Sequence, residues 1–381
     1  MSNNTPMSDN TLDEVNGFKR EIKITDGGIL LSTQPDPDIQ YAFYLKKAKE
    51  VHRNYYTEDA SVLFDIEPVA GDYIASFFYK KNNEIKAIRT FFSIDSDKHI
   101  IIEERKNYVK TEIASTNEYR IDYYDAGSDI TFIVFNGTGS GLHAVPFGLN
   151  YLMKNGYNVV ACLQNKNQYQ GLSFEDFERL VKPIVSGKKT FLYGSSLGGY
   201  CAVYYAGAVD GTVIASAPRN SGHPELIRRS RGRSKFNADN FKHPAISENK
   251  RTINPVYIFI DPTYNSDVFF YKRFIAPTYR KAQRLEFPFA GHEVLMHVKG
   301  AGQLHSIITR IVNMQGRITI DTSTETEFTD IGRARYYIAQ KNKTMAIEFI
   351  ERAFSRGDIN EQAFATLGVL KRRAQLIDSD E

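Results

Sequence analysis

The segment Gly194-Ser195-Ser196-Leu197-Gly198 constrains this chain more than any other, because it places a G-x-S-x-G frame between an apolar strand and a helix of small residues. Thr190 to Tyr193 reads as a short buried strand. Gly199 to Val209, rich in Gly, Ala and Val, reads as a close-packed helix. The backbone between them must turn sharply and present Ser196 at the end of a sheet, and the flanking glycines remove side chains that would collide there. Ser196 then stands at a helix N-terminus, whose free N–H groups and positive dipole end favour a developing oxyanion. An ordinary strand-to-helix turn can carry the same letters, but here the strand, the helix and a further glycine all stand where the chemistry needs them.

A nucleophilic serine needs a base, and the base needs an orienting acid. Where such a frame opens a helix, acid and histidine follow the serine in that order. Of eight histidines, only His292, His297 and His305 follow the last strand-like run, Arg284 to Ala290. His292 comes directly after it on a loop, whereas His297 and His305 fall in the next helical stretch. A zinc site is not expected: His292 to His297 misses H-E-x-x-H by one residue, with Met296 where the second histidine must be. Two aspartates follow the strand Pro255 to Ile260. Asp267, just before a helical run, has the better position for the acid. Asp261 precedes Pro262 and is the reserve, with a strand-ending turn as its plain alternative. Asp267 also suits a helix N-cap.

Upstream, the strand Asp129 to Phe135 runs into Asn136-Gly137-Thr138-Gly139-Ser140-Gly141. A backbone N–H of this loop, at Gly137 or Thr138, can join that of Leu197 in an oxyanion hole. The loop lacks both nucleotide-binding glycine patterns, so phosphate cradling is the weaker reading.

With these residues in place, positions 126–313 resemble the α/β-hydrolase superfamily, through the loop 136–141, the elbow Gly194 to Gly198, Asp267 or Asp261, and His292. Tyr193 to Tyr200 followed by Ile214-Ala215-Ser216-Ala217-Pro218 also looks like a group found in bacterial surface-polysaccharide gene clusters, which includes serine-dependent capsule O-acetyltransferases. The resemblance implies acyl transfer through an acyl-enzyme, with acetyl-CoA as co-substrate, no bound cofactor and a capsular or other surface polysaccharide as acceptor. An esterase or deacetylase uses the same residues, and a non-catalytic polysaccharide-assembly protein keeps the same fold. Asn136 departs from the pattern, since many members carry histidine there.

The other regions have different textures. Residues 18–125 show short aromatic and β-branched runs without crossover helices, which predicts an antiparallel β-sandwich. Ala70-Gly71-Asp72-Tyr73 looks like the tyrosine corner of immunoglobulin-like domains. Residues 314–381 predict a helical hairpin over Ala334 to Phe354 and Asn360 to Ala374, broken at Gly357, which docks on the hydrolase or mediates homo-oligomer formation. Residues 1–17 are polar and expected to be disordered. The fold expected is therefore α/β: a hydrolase domain over 126–313 between an N-terminal β-sandwich and a C-terminal helical segment.

Charge is uneven along the chain. Arg219 to Arg251 holds nine Lys/Arg against Glu225, Asp239 and Glu248, a net +6 in a chain of +3 overall. Read as a basic insertion beside Ser196, it nominates Arg219, Arg228, Arg229, Arg231 and Arg233 for an anionic polysaccharide or the phosphates of a CoA ester. A solvated basic loop is the plain alternative. Nucleic acid is disfavoured, because Phe236 and Phe241 are its only Phe, Tyr or Trp residues. No apolar run approaches ~20 residues, so neither a signal peptide nor a membrane span is expected. Cys162 and Cys201 both sit in apolar elements and read as buried thiols, as expected of a cytoplasmic protein.

Overall fold

The computed structural model describes residues 11–15, 18–48, 50–82, 84–102, 108–314, 316–356 and 361–378. The chain divides into two compact units, Met1–Asn107 and Tyr108–Glu381.

The first unit is made of two antiparallel sheets. One pairs β1 (Thr11–Val15), β2 (Phe18–Thr25), β3 (Gly28–Thr33) and, through β3, the later strand Ser61–Phe64. The other has β4 (Gln40–Lys47) between β5 (Glu50–Thr57) and the strand Gly71–Lys81, which continues to Glu84–Ile94 and Ile100–Ile102. In chain order these later strands are β6 to β9. Alternation sends Tyr41, Phe43 and Leu45 of β4 and Tyr73, Ala75 and Phe77 of β7 to one face, where they meet Ile22, Ile29 and Leu31. Tyr73 Oη donates to the carbonyl of Val69 at 2.8 Å and accepts from its N–H at 3.2 Å. Two expectations change here. Thr11–Val15 is a strand paired with β2, while residues 1–10 lie outside those described. The sandwich also stops short of 125: β10 (Val109–Ser115) and β11 (Tyr119–Asp125) form an antiparallel hairpin at the edge of the second unit's sheet.

That sheet has eight strands in the order β10-β11-β13-β12-β14-β15-β16-β17. The last six in chain order are β12 (Ile130–Phe135), β13 (Asn158–Gln164), β14 (Lys189–Ser195), β15 (Thr212–Ser216), β16 (Val256–Ile260) and β17 (Gln283–Glu286), all mutually parallel. The central strands are apolar on both sides, as a sheet covered on both faces requires. Ile133 and Phe135 face α2 (Phe174–Val185) and α3 (Leu197–Tyr204), while Phe132 and Val134 face α1 (Leu149–Lys154). The short α4 (Ala206–Val209) completes the crossover from β14 to β15. Further on, α5 (Pro224–Arg229) lies in the basic insertion, α6 (Asn265–Phe270) follows β16, and α7 (Val294–Gly300) and α8 (Leu304–Val312) pack on the α1 face. With β12 central and its successors laid to either side, the loops at the carboxyl ends of β12 and β14 open a crevice, the expected ligand position in such sheets.

Three helices close the chain: α9 (Glu327–Ala339), α10 (Lys343–Ser355) and α11 (Glu361–Gln375). The stretch read as one helix over Ala334 to Phe354 turns at Gln340 to Asn342, where Lys341 has φ 57° and the Asn342 side chain caps α10 by accepting from Met345 N–H at 3.0 Å. The expected break at Gly357 lies outside the described residues. α9 lies against the loop after β17, so closely that a Cβ on Gly332 would fall 1.8 Å from the Phe289 carbonyl oxygen. Among the described residues no helix is long and apolar enough to cross a membrane.

Candidate active site

The site starts from the turn between β14 and α3. Ser196 has φ 56° and ψ −118°, a sparsely populated conformation for a residue with a side chain. Packing holds it there. A Cβ on Gly194 would lie 2.4 Å from Gly198, and one on Gly198 would lie 2.2 Å from the Phe135 carbonyl oxygen. The Ser196 N–H donates to the Ser216 carbonyl at 2.9 Å, and its own carbonyl accepts from the N–H groups of Tyr200 at 2.9 Å and Arg219 at 3.0 Å. Elbow, β15 and the start of the insertion are thus tied together.

His292 reaches this serine from the loop after β17. Its Nε2 lies 2.8 Å from Ser196 Oγ and its Nδ1 lies 2.7 Å from Asp267 Oδ2. In the neutral imidazole, Nδ1–H donates to the carboxylate and Nε2 accepts from the hydroxyl. Asp267, in the first turn of α6, is 1% exposed. Its second oxygen accepts from Arg219 Nη1 at 2.8 Å. The run Arg219, Asp267, His292, Ser196 therefore links four separate segments on three short hydrogen bonds.

Asp261 does something else. Its carboxylate accepts from Thr263 N–H and Oγ1, both at 2.7 Å, from Phe289 N–H at 3.1 Å and from Gly291 N–H at 2.8 Å. It thus clamps the backbone that delivers His292 and does not touch the imidazole. Burial pushes its carboxyl above the usual range, and these donors oppose that shift. His297 is buried, with Nδ1 2.9 Å from Thr326 Oγ1, and burial pushes its imidazole down. His305 meets the Tyr151 hydroxyl at 3.2 Å.

The glycine-rich loop is fixed by buried amides. Asn136 donates to the Val145 carbonyl at 2.9 Å and accepts from Phe147 N–H at 2.8 Å, while its own N–H donates to Tyr169 Oη at 2.7 Å. Gln164 Nε2 donates to the Gly137 carbonyl at 3.1 Å. Gly137 and Thr138 thus begin a held loop whose root touches the elbow. Leu197 occupies the first position of α3, where an N–H has no helical acceptor. Sequence reasoning missed Gln164 and Tyr169. A glutamine ending the otherwise buried run 158–164 is the signal that could have found the first.

The basic insertion is not gathered on the serine. Arg219 is spent on Asp267, which corrects its assignment to substrate. Arg228, Arg229, Arg231 and Arg233 are exposed, and Arg229 lies 3.8 Å from the Phe269 ring centre. Cys162 and Cys201 are buried free thiols, and burial pushes both thiol pKa values up. Among the described residues the only cluster suited to a cation is the acidic turn Asp95, Asp97 and His99, in the other unit.

Sheet order and site define a class: the chain resembles the α/β-hydrolase superfamily, with serine, aspartate and histidine presented from the ends of β14, β16 and β17. No family model matches the chain, and no curated protein matches it. Among solved structures it is similar to the capsule O-acetyltransferase of Neisseria meningitidis serogroup A, at 14% identity over 52% of this chain and 92% of that one, TM-score 0.38. An esterase of Butyrivibrio proteoclasticus with ferulic acid bound is similar at 12% identity, over 53% and 99%, TM-score 0.34. An esterase of Pyrococcus furiosus is similar at 16%, over 54% and 91%, TM-score 0.37.

Proposed function

We propose that the chain is a serine acyl-transfer enzyme, and that its reaction is O-acetylation of a bacterial capsular or other surface polysaccharide with acetyl-CoA as donor. The observation that carries the chemistry is the hydrogen-bonded run from Ser196 Oγ through His292 to Asp267. As Ser196 Oγ attacks the thioester carbonyl, His292 Nε2 takes its proton and the buried Asp267 carboxylate holds the resulting imidazolium. The tetrahedral oxyanion is received by the N–H of Leu197 and one N–H of Gly137 or Thr138. The carbon–sulfur bond breaks, the thiol leaves with the proton from His292, and an acetyl ester remains on Ser196. A sugar hydroxyl then gives its proton to His292 as its oxygen attacks that ester, and Ser196 leaves with the proton.

Water in place of the sugar makes the same centre an esterase or glycan deacetylase. The partial exposure of Ser196 and His292 favours keeping this second reading. The N-terminal sandwich is read as immunoglobulin-like. Its pairing, β2-β3-β6 facing β5-β4-β7-β8, follows the A-B-E and C′-C-F-G pattern, and Tyr73 makes the corner hydrogen bond. Dependence on acetyl-CoA implies work in the cytoplasm, where Cys162 and Cys201 stay reduced.

A fluorophosphonate probe tests the centre: labelling that disappears in Ser196→Ala supports it, and no labelling of the wild type sinks it, leaving a non-catalytic assembly role. Thiol release from acetyl-CoA that rises only when an acidic polysaccharide is added supports the transferase; equal release without acceptor supports the hydrolase.

A further inference from the structure

A pocket of about 520 Å³ opens beside the glycine-rich loop, with Thr138 and Gly139 on its edge. Lys235 and Lys242 of the basic insertion line it as well, together with Lys166. All three lysines are exposed, and none forms an ion pair among the described residues. Glu118 is the one carboxylate on the lining. Two rings, Phe236 and Phe241, face the same space, half-buried.

The floor is built and strained. Lys166, Gln168 and Tyr169 all have positive φ, at 56°, 58° and 61°. Such a run persists only where its surroundings impose it. Here Gln164 imposes it, accepting from Gln168 N–H at 2.7 Å while donating to the Gly137 carbonyl on the other side. Gln170 ties the insertion down by accepting from Lys242 N–H at 2.6 Å and His243 N–H at 3.2 Å. Gln168 itself is 6% exposed, and both polar atoms of its carboxamide lack a hydrogen-bond partner among the described residues. Gly222, also on the lining, leaves room for that amide: a Cβ there would lie 3.3 Å from Gln168 Oε1.

The chemistry of this lining is specific. Lysines without carboxylate partners attract anionic groups, carboxamides pair with hydroxyls that both donate and accept, and aromatic faces supply flat apolar contact. A chain of sugars bearing carboxylate or phosphate groups presents all three. Two parts of the lining run back to the nucleophile, because the loop holding Thr138 starts at Phe135 against Gly198, and Gly222 lies three residues beyond the Arg219 N–H bound to the Ser196 carbonyl. The geometry points to this pocket as the acceptor subsite, binding an acidic oligosaccharide through Lys166, Lys235, Lys242 and Gln168; the word acceptor rests on the acyl-transfer reading of Ser196.

Binding of oligogalacturonate, of phosphorylated maltohexaose and of neutral maltohexaose to the full chain, carried in the Ser196→Ala background, tests the pocket apart from catalysis. At least one acidic probe should bind saturably, more weakly as salt rises, and at least tenfold more weakly in K235E/K242E and in K166E. Which acidic probe binds separates carboxylate from phosphate recognition. Q168L should weaken the acidic probe severalfold while its salt dependence stays as in the parent, a split that separates the amide from the lysines. Neutral maltohexaose bound as tightly as the acidic probes, no binding of either acidic probe, or affinity unchanged in both charge-reversed proteins would overturn the proposal. So would weaker binding of acetyl-CoA with glycan affinity unchanged, which would assign the lysines to the donor. Fluorophosphonate labelling of Ser196 is independent of all of these, so failure of the acyl-transfer reading and failure of the pocket are distinguishable.

Discussion

The carboxyl edge of the sheet and the insertion after β15 lie next to each other and are built on opposite terms. At the sheet edge, Asp261 and Asp267 are each 1% exposed, and every carboxylate oxygen there has a donor. In the insertion, Arg228, Arg229, Arg231 and Arg233 project into solvent, and α5 buries no residue fully. On the proposed reading, the first region holds a proton relay at hydrogen-bond distances of 2.7 to 2.8 Å, the range that proton transfer requires. The second can supply field and contact but not placement, since exposed charges are screened within about 8 Å at physiological salt. On the proposed reading, chemistry and recognition fall to neighbouring segments with different tolerance to change.

The largest effects should come from the relay. Ser196→Ala should lower kcat by about 10⁶-fold and Asp267→Asn by about 10⁴-fold, with circular dichroism and melting curves close to wild type for Ser196→Ala. Full activity in Asp267→Asn would dissolve the distinction between the two aspartates.

Next come the groups that hold the relay. Asp261→Asn replaces an acceptor facing Phe289 and Gly291 N–H by an amide that can present an N–H to one of them. We expect a loss of about 2–3 kcal/mol in urea unfolding and a fall in kcat of roughly ten- to a hundredfold, from a histidine that is present but misplaced. Arg219→Ala strips one oxygen of a buried carboxylate of its donor and should cost about as much. If either protein loses stability but keeps kcat, that residue supports the fold and not the relay.

A smaller effect lies beneath the elbow helix. His243 stacks on Tyr204 at 4.3 Å, lies 3.0 Å from both the Tyr200 hydroxyl and the Tyr169 carbonyl, and burial lowers its pKa to about 4. The unfolded chain, with an ordinary histidine, takes up a proton between about pH 6.5 and 4 that the folded chain refuses. Stability should therefore fall as pH drops through that window, by at most about 1.4 kcal/mol per pH unit. His243→Gln should be less stable at pH 7 and lack this part of the slope; an unchanged slope would show that His243 is not its source.

Smallest of all should be reversal of Arg228, Arg229 and Arg231 to glutamate. Stability should stay within about 0.5 kcal/mol, as for exposed charges generally, and affinity for an acidic glycan should change far less than in K235E/K242E. A tenfold loss would return recognition to the arginines.

What the sequence made legible follows the same divide. Ser196 and His292 could be found because a buried strand, a glycine-flanked turn and a terminal strand-to-loop junction leave local marks. The choice between Asp261 and Asp267 could not be closed, since both follow β16 and only the three-dimensional path of the loop decides which one reaches the imidazole. Arg219 reads as one cation among nine in its segment, and its pairing with a residue 48 positions away leaves no local trace. The hairpin of β10 and β11 looks like more sandwich, because antiparallel edge strands have one alternating pattern whichever sheet they join. The turn at Gln340 to Asn342 escaped notice for lack of Gly or Pro.

The most direct measurement is intact-protein mass spectrometry of the enzyme quenched soon after mixing with acetyl-CoA without acceptor, followed by peptide mapping. The account predicts one added acetyl group on the peptide containing Ser196, absent in Ser196→Ala and discharged when a competent acidic glycan is added. An acetyl group on another residue, or one that persists in Ser196→Ala, would contradict it.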